Sequence, residues 1–249
     1  MVKKSLKPIL TSGLFILLSF CSGNFSQARD IVVLTQGLEK TFNTNNKSEL
    51  FNLFSEEIAR DLRQQYDVFL KDFPNATWNI KFLKELPDQR KLLEIIVQGT
   101  KDGNGQNYNL ISKQQIVISI SNGKVVKKET FSDYSILKSG NKMLNVTVQI
   151  PDRVLTGSIY DIDIILEEPL EDSIIAGGLI AINDSKLRTN NSHKDLELMP
   201  LGSGGIFKSA RAPLNPGEQR WAALIAHPQG LISITKKVKI VSSSSELRP

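Results

Sequence analysis

Cysteine is almost missing from this chain: Cys21 is the only one in 249 residues. A single cysteine forms no disulfide within the chain, and it removes the clustered thiolates of a zinc finger or an iron–sulfur site. Histidine is nearly as scarce. His193 and His227 stand 34 positions apart, and His193 sits in the polar stretch Arg188–Asp195, so no histidine-based metal site is expected. Long apolar runs are missing too. Pro8–Phe20 covers 13 residues, interrupted by Thr11, Ser12 and Ser19, whereas a membrane-spanning helix needs about 20. Aromatics make up 7%, and they do not interleave with basic clusters as on a nucleic-acid-binding face. The formal charge of +5 includes Lys3, Lys4 and Lys7; without them 28 basic residues face 26 acidic ones. That near-balance argues against a nucleic-acid partner.

What is present begins with an export pattern. Lys3, Lys4 and Lys7 precede the short apolar run, and Ser26-Gln27-Ala28 places small residues at a cleavage site. Residues 1–28 are therefore expected to be a signal peptide, with a mature protein starting near Arg29 in the periplasm or the thylakoid lumen. Leu18-Ser19-Phe20-Cys21 offers a competing lipoprotein reading through Cys21. The bulky Phe20 disfavours it.

Between about 29 and 140 the periodicity changes once. Ile31, Leu34, Leu38 and Phe42 mark one helical face. Phe51, Phe54, Ile58, Leu62, Tyr66, Phe69 and Phe73 mark another, with Ser55 as a helix start and Pro74 as a stop. Beyond Pro74 apolar residues alternate: Trp78, Ile80 and Phe82, then Leu93, Ile95 and Val97, then Ile116, Ile118 and Ile120. Asn122-Gly123 is a strong hairpin signal, and Lys124–Ile136 reads as the next strand.

This order of helices followed by an antiparallel sheet resembles the nuclear transport factor 2-like superfamily. The resemblance rests on Phe51-Asn52-Leu53-Phe54, on the hairpin Ile118–Val125 and on Asp133-Tyr134. It implies an α+β cone with a cavity between sheet and helices, which some members use for catalysis, some for ligands and many for association. Glu94 and Gln98 share one strand face, and Gln115 and Ser119 another; either pair could line a polar cavity. The plainer reading is a solvated outer face. Asp133 and Tyr134 could sit at the cone mouth. Trp78 is a core or interface residue.

From about 141 to 242 only strand signals remain. Leu144–Ile150, Tyr160–Leu166, Ile174–Ile182, Arg220–Ala226 and Leu231–Val241 alternate or run apolar, and Leu196–Leu198 and Ile206–Lys208 are shorter. Some seven strands in this length predict an all-β immunoglobulin-like sandwich, with Trp221 a candidate core anchor. The pairing of the two domains resembles uncharacterised exported proteins of cyanobacteria. Residues 243–249 read as a disordered tail.

The glycine stretch Gly202-Ser203-Gly204-Gly205 lacks the Gly-Lys-Ser/Thr ending of a phosphate loop, so no nucleotide cofactor is expected. Asp161 and Asp163, with Glu167, Glu168, Glu171 and Asp172, match no calcium-loop spacing. Arg211 lies in a long connection, Leu201–Pro216, suited to partner contact. The sequence thus predicts an exported binding or assembly module without catalysis, whose partner is another protein or a second copy. The alternative is a carrier of a small apolar ligand, or an isomerase-like enzyme, that uses the first domain's cavity.

Overall fold

The helices follow from the two apolar stripes. In a computed structural model, which describes residues 23–103, 105–140, 144–167, 174–182, 196–202 and 204–249, α1 spans Gly23–Asn43, α2 Lys47–Asn52 and α3 Glu56–Asp72. The predicted signal and Cys21 lie largely outside the described residues, as do His193 and the acids at 168, 171 and 172. Asn46 caps α2 by accepting from the Glu49 backbone N–H, and α3 opens at Ser55 with Glu56 and Glu57 near its positive end.

The strands are β1 Thr77–Glu85, β2 Lys91–Gly103, β3 Gln106–Ser121, β4 Lys124–Gly140, β5 Val146–Gln149, β6 Arg153–Leu155, β7 Ile159–Leu166, β8 Ala176–Ile182, β9 Met199–Pro200, β10 Gly205–Arg211, β11 Gly217–His227 and β12 Gly230–Val241. Asn122 and Gly123, both at positive φ (50° and 71°), make the tight turn between β3 and β4. The order in the large sheet is β1-β2-β3-β4-β12-β11-β8-β9, with β6 parallel to the end of β12. A second sheet, β10-β7-β5, packs against it.

The expected fold of a helix-and-sheet cone followed by a separate sandwich needs correction. The chain is predominantly β, and one sheet runs through both halves. β4 pairs along its length with β3, and its last eight residues pair with β12, Asp133 opposite Lys237 through Gly140 opposite Gly230. The sheet therefore does not close over the helices as a cone would; it passes out from beneath them and becomes a wall of the sandwich. Ser139-Gly140, at the boundary expected between the two domains, sits in this ladder, and Ser139 is buried. The strands meet so closely there that a Cβ on Gly230 would lie 2.1 Å from the Ser139 carbonyl oxygen.

β5, β7 and β10 face β8, β11 and β12 in a β-sandwich. Its core includes Ile162, Ile164, Ile225, Ile232 and Val238, each at most 1% exposed. Burying such a side chain contributes roughly 1.5–3 kcal/mol. Trp221 Nε1 donates to the Tyr160 hydroxyl at 2.8 Å, and that hydroxyl donates to Gln219 at 2.7 Å. The helical half has its own core on the other face of the sheet. Ile80 opposes Ile95, and Leu93 opposes Ile116, beneath Leu34, Leu38 and Phe42 of α1. The tail forms a 3-10 turn, Ser244–Leu247, capped by Ser243, and Arg153 donates to the Glu246 carbonyl.

Candidate functional site

The helix-side core is incompletely filled. α1 lies tight on β1: Ile31, Leu34, Leu38 and Phe42 are all below 10% exposed. Its polar residues also cover the sheet edge. Asn43 Nδ2 donates to the Trp78 carbonyl at 2.8 Å, Asn43 Oδ1 accepts from the Trp78 N–H at 2.7 Å, and Glu39 accepts from the Ile80 N–H at 2.7 Å. α3 stands further off. Only Ala59 and Tyr66 of that helix are buried, and its stripe residues Ile58, Leu62 and Phe69 stay partly open. Between α3 and the sheet is a cavity of about 540 Å³, within the usual range for small-molecule pockets.

Aromatic rings make one end of the cavity. Phe42 stacks on Trp78 at 4.3 Å, Phe69 meets Trp78 edge-on at 5.7 Å, and Tyr66 meets Phe42 at 5.5 Å. The Tyr66 hydroxyl donates to the Phe42 carbonyl at 3.2 Å; burial, then the nearby Asp67, raises its pKa. Trp78 Nε1 is buried with no hydrogen-bond partner among the described residues.

The other end is polar, and strand register explains why. Directly opposed residues share a sheet face. Ile80, Ile95, Gln114, Asp133, Lys237 and Arg220 form one such row across β1, β2, β3, β4, β12 and β11. The row is apolar beneath the helices and polar beyond them. Gln114 donates to Asp133 at 3.2 Å, and Lys237 pairs with Glu218 at 3.2 Å. Lys128 also lines the cavity. Burial, then repulsion from Lys237, lowers its pKa, while Asp61 opposes this. Among the described residues neither Lys128 nor Arg220 makes an ion pair.

Of the residues singled out from sequence, Trp78 lines this cavity. Glu94 and Gln98 are on the opposite face of β2: Glu94 pairs with Lys113 at 2.8 Å and Gln98 is exposed. Asp133 is at the polar end, but its neighbour Tyr134 points the other way, against the sandwich core, where burial pushes its pKa up to about 12. Arg211 is exposed at the end of β10, donating to the Gly157 carbonyl at 3.1 Å; Gly205–Arg211, within the connection expected around it, is strand. Sequence reasoning passed over Gln114, Lys128, Arg220 and Lys237. Asp161 accepts from Ser209 at 2.6 Å, and no cluster of three metal-ligating side chains occurs among the described residues. No described helix is long and apolar enough to cross a membrane.

A second ionic cluster ties the halves together. Glu129 of β4 accepts from Lys239 at 2.5 Å, Arg153 at 3.0 Å and Arg90 at 3.2 Å. The bond from Lys239 is the largest of the effects that hold its carboxyl down at about 2, against the opposing pull of burial. Arg153 also lies over the Phe131 ring at 4.1 Å.

A family match covers the sandwich. Residues 141–241 match a family described as Domain of unknown function (DUF8623). That match covers less than half of the chain, and most of the cavity lining lies outside it. No curated protein matches the chain.

Proposed function

We propose that this protein is a binding module that holds a small, largely apolar ligand between α3 and the sheet. The carrying observation is the cavity of about 540 Å³ with an aromatic end and a polar end. Binding a ligand there would bury the open surfaces of Ile58, Leu62 and Phe69, at roughly 25 cal/mol per Å² removed from water. The assembly reading has less behind it, because side chains of α1 already satisfy the outward backbone groups of β1 at Trp78 and Ile80. As part of this reading, the pattern in residues 1–28 would deliver the module to the periplasm or the thylakoid lumen.

The test is titration with a neutral apolar fluorophore, N-phenyl-1-naphthylamine, against the protein and its Leu62→Trp variant, whose indole would fill the cavity. The reading predicts saturable binding to the parent and at least tenfold weaker binding to the variant, with unchanged circular dichroism. Equal binding by both would overturn it.

A further inference from the structure

We infer that the ligand is an anionic single-chain amphiphile, its chain beneath α3 and its anionic head at Lys128, Lys237 and Arg220; this rests on the cavity reading above. Three observations converge.

The first is length. The register row from Ile80 on β1 to Lys237 on β12 crosses four strand spacings, about 19 Å at about 4.8 Å each. A compact ring system would not span it, whereas an extended chain would.

The second is polarity along that line. Ile80 and Ile95 give way to Gln114, then Asp133, then Lys237 and Arg220. A molecule lying along the row meets apolar contacts first and charge last.

The third is the sign of the charge. Three cations and one carboxylate, Asp133, line the cavity at this end. Glu218 engages Lys237 from outside the lining, and Asp61 acts on Lys128 from α3. Lys128 and Arg220 remain without an ion-pair partner among the described residues. Arg220 offers the planar fork suited to a carboxylate or phosphate, and Lys128 a point charge. The two cations left without an ion-pair partner suit an anionic head, and a neutral one would leave both donors unused.

The experiment uses two probes that differ only at the head, laurate and dodecanol, titrated calorimetrically into the protein, into Lys128→Met/Arg220→Met, and into Leu62→Trp. The expected result is that laurate binds at least tenfold more tightly than dodecanol, and that the double variant loses this advantage by binding laurate more weakly, with no loss of dodecanol affinity. Charge-assisted hydrogen bonds of about 1.5–3 kcal/mol correspond to such a factor. Equal affinities, or a double variant that still prefers laurate, would overturn the anionic-head inference and leave the cavity reading standing. Absence of binding by both probes, or binding undiminished in a folded Leu62→Trp protein, would overturn both.

Discussion

Ile162, Ile164, Ile225 and Val238 of the sandwich are completely enclosed, while Ile58, Leu62 and Phe69 on the far side of the same sheet keep part of their surface open. The difference has a geometric cause. The second sheet, β10-β7-β5, meets the large sheet with alternating side chains from both, so the two surfaces interdigitate. On the helical side α1 is held to β1 by Asn43 and Glu39, but α3 is joined to the sheet by polar contacts at its two ends, where the Ser55 N–H donates to the Val125 carbonyl and Asp72 pairs with Lys101 of β2. One half is filled by its own side chains. The other half leaves space that a ligand can fill.

The sharpest way to break this comparison is truncation in each core. Ile164→Ala, at a fully buried site, should cost about 4 kcal/mol in denaturant unfolding, whereas Leu62→Ala at the cavity wall should cost about 1 kcal/mol. Similar losses at the two sites would erase the distinction. Next in size is the seam between the halves. Gly230→Val drives a side chain into the Ser139 carbonyl and should cost about 2 kcal/mol. Faster amide exchange is expected in the last residues of β4 and the first of β12, and unchanged exchange there would mean that the seam does not depend on this close approach.

The ionic joint predicts a smaller, pH-dependent effect. The carboxyl of folded Glu129 titrates near 2 rather than at the ordinary 4.5. A depressed folded pKa adds stability above the unfolded value, and that stability is lost as pH falls from about 4.5 toward 2. Discounted for solvent screening it is about 1 kcal/mol. Glu129→Gln should lower stability by that amount at pH 7 and flatten the acid limb of the stability curve; an unchanged acid limb would show that the joint contributes nothing. The smallest effect belongs to Leu62→Trp, which should shift stability by less than about 1 kcal/mol because the indole enters existing space.

Much of the fold was legible. The stripes at 31–42 and 51–73 are α1 to α3, and Asn122-Gly123 is the turn it looked like. The continuous sheet was not legible, because nothing local in Leu231–Val241 says that it pairs with Asp133–Gly140, about a hundred residues earlier. The site was legible on some strands and not on others. Leu93, Ile95 and Val97 alternate, so the apolar helices had to face them and Glu94 and Gln98 had to face away. By the same parity Gln114 falls on the face of Ile116 and Ile118. Asp133 could not be placed in that way, because an irregularity between Gln115 and Ile116 resets the alternation opposite Phe131. Arg220 and Lys237 join the site only through strand pairing.

Each half carries one tryptophan, which makes the central claim directly measurable. The side-chain N–H signals of Trp78 and Trp221 can be followed by nitrogen-15 NMR during a laurate titration. If the helical half is the binding half and the sandwich its support, the Trp78 signal shifts saturably and that of Trp221, bonded to Tyr160, stays in place. A saturable shift of Trp221 with Trp78 unmoved would contradict the account.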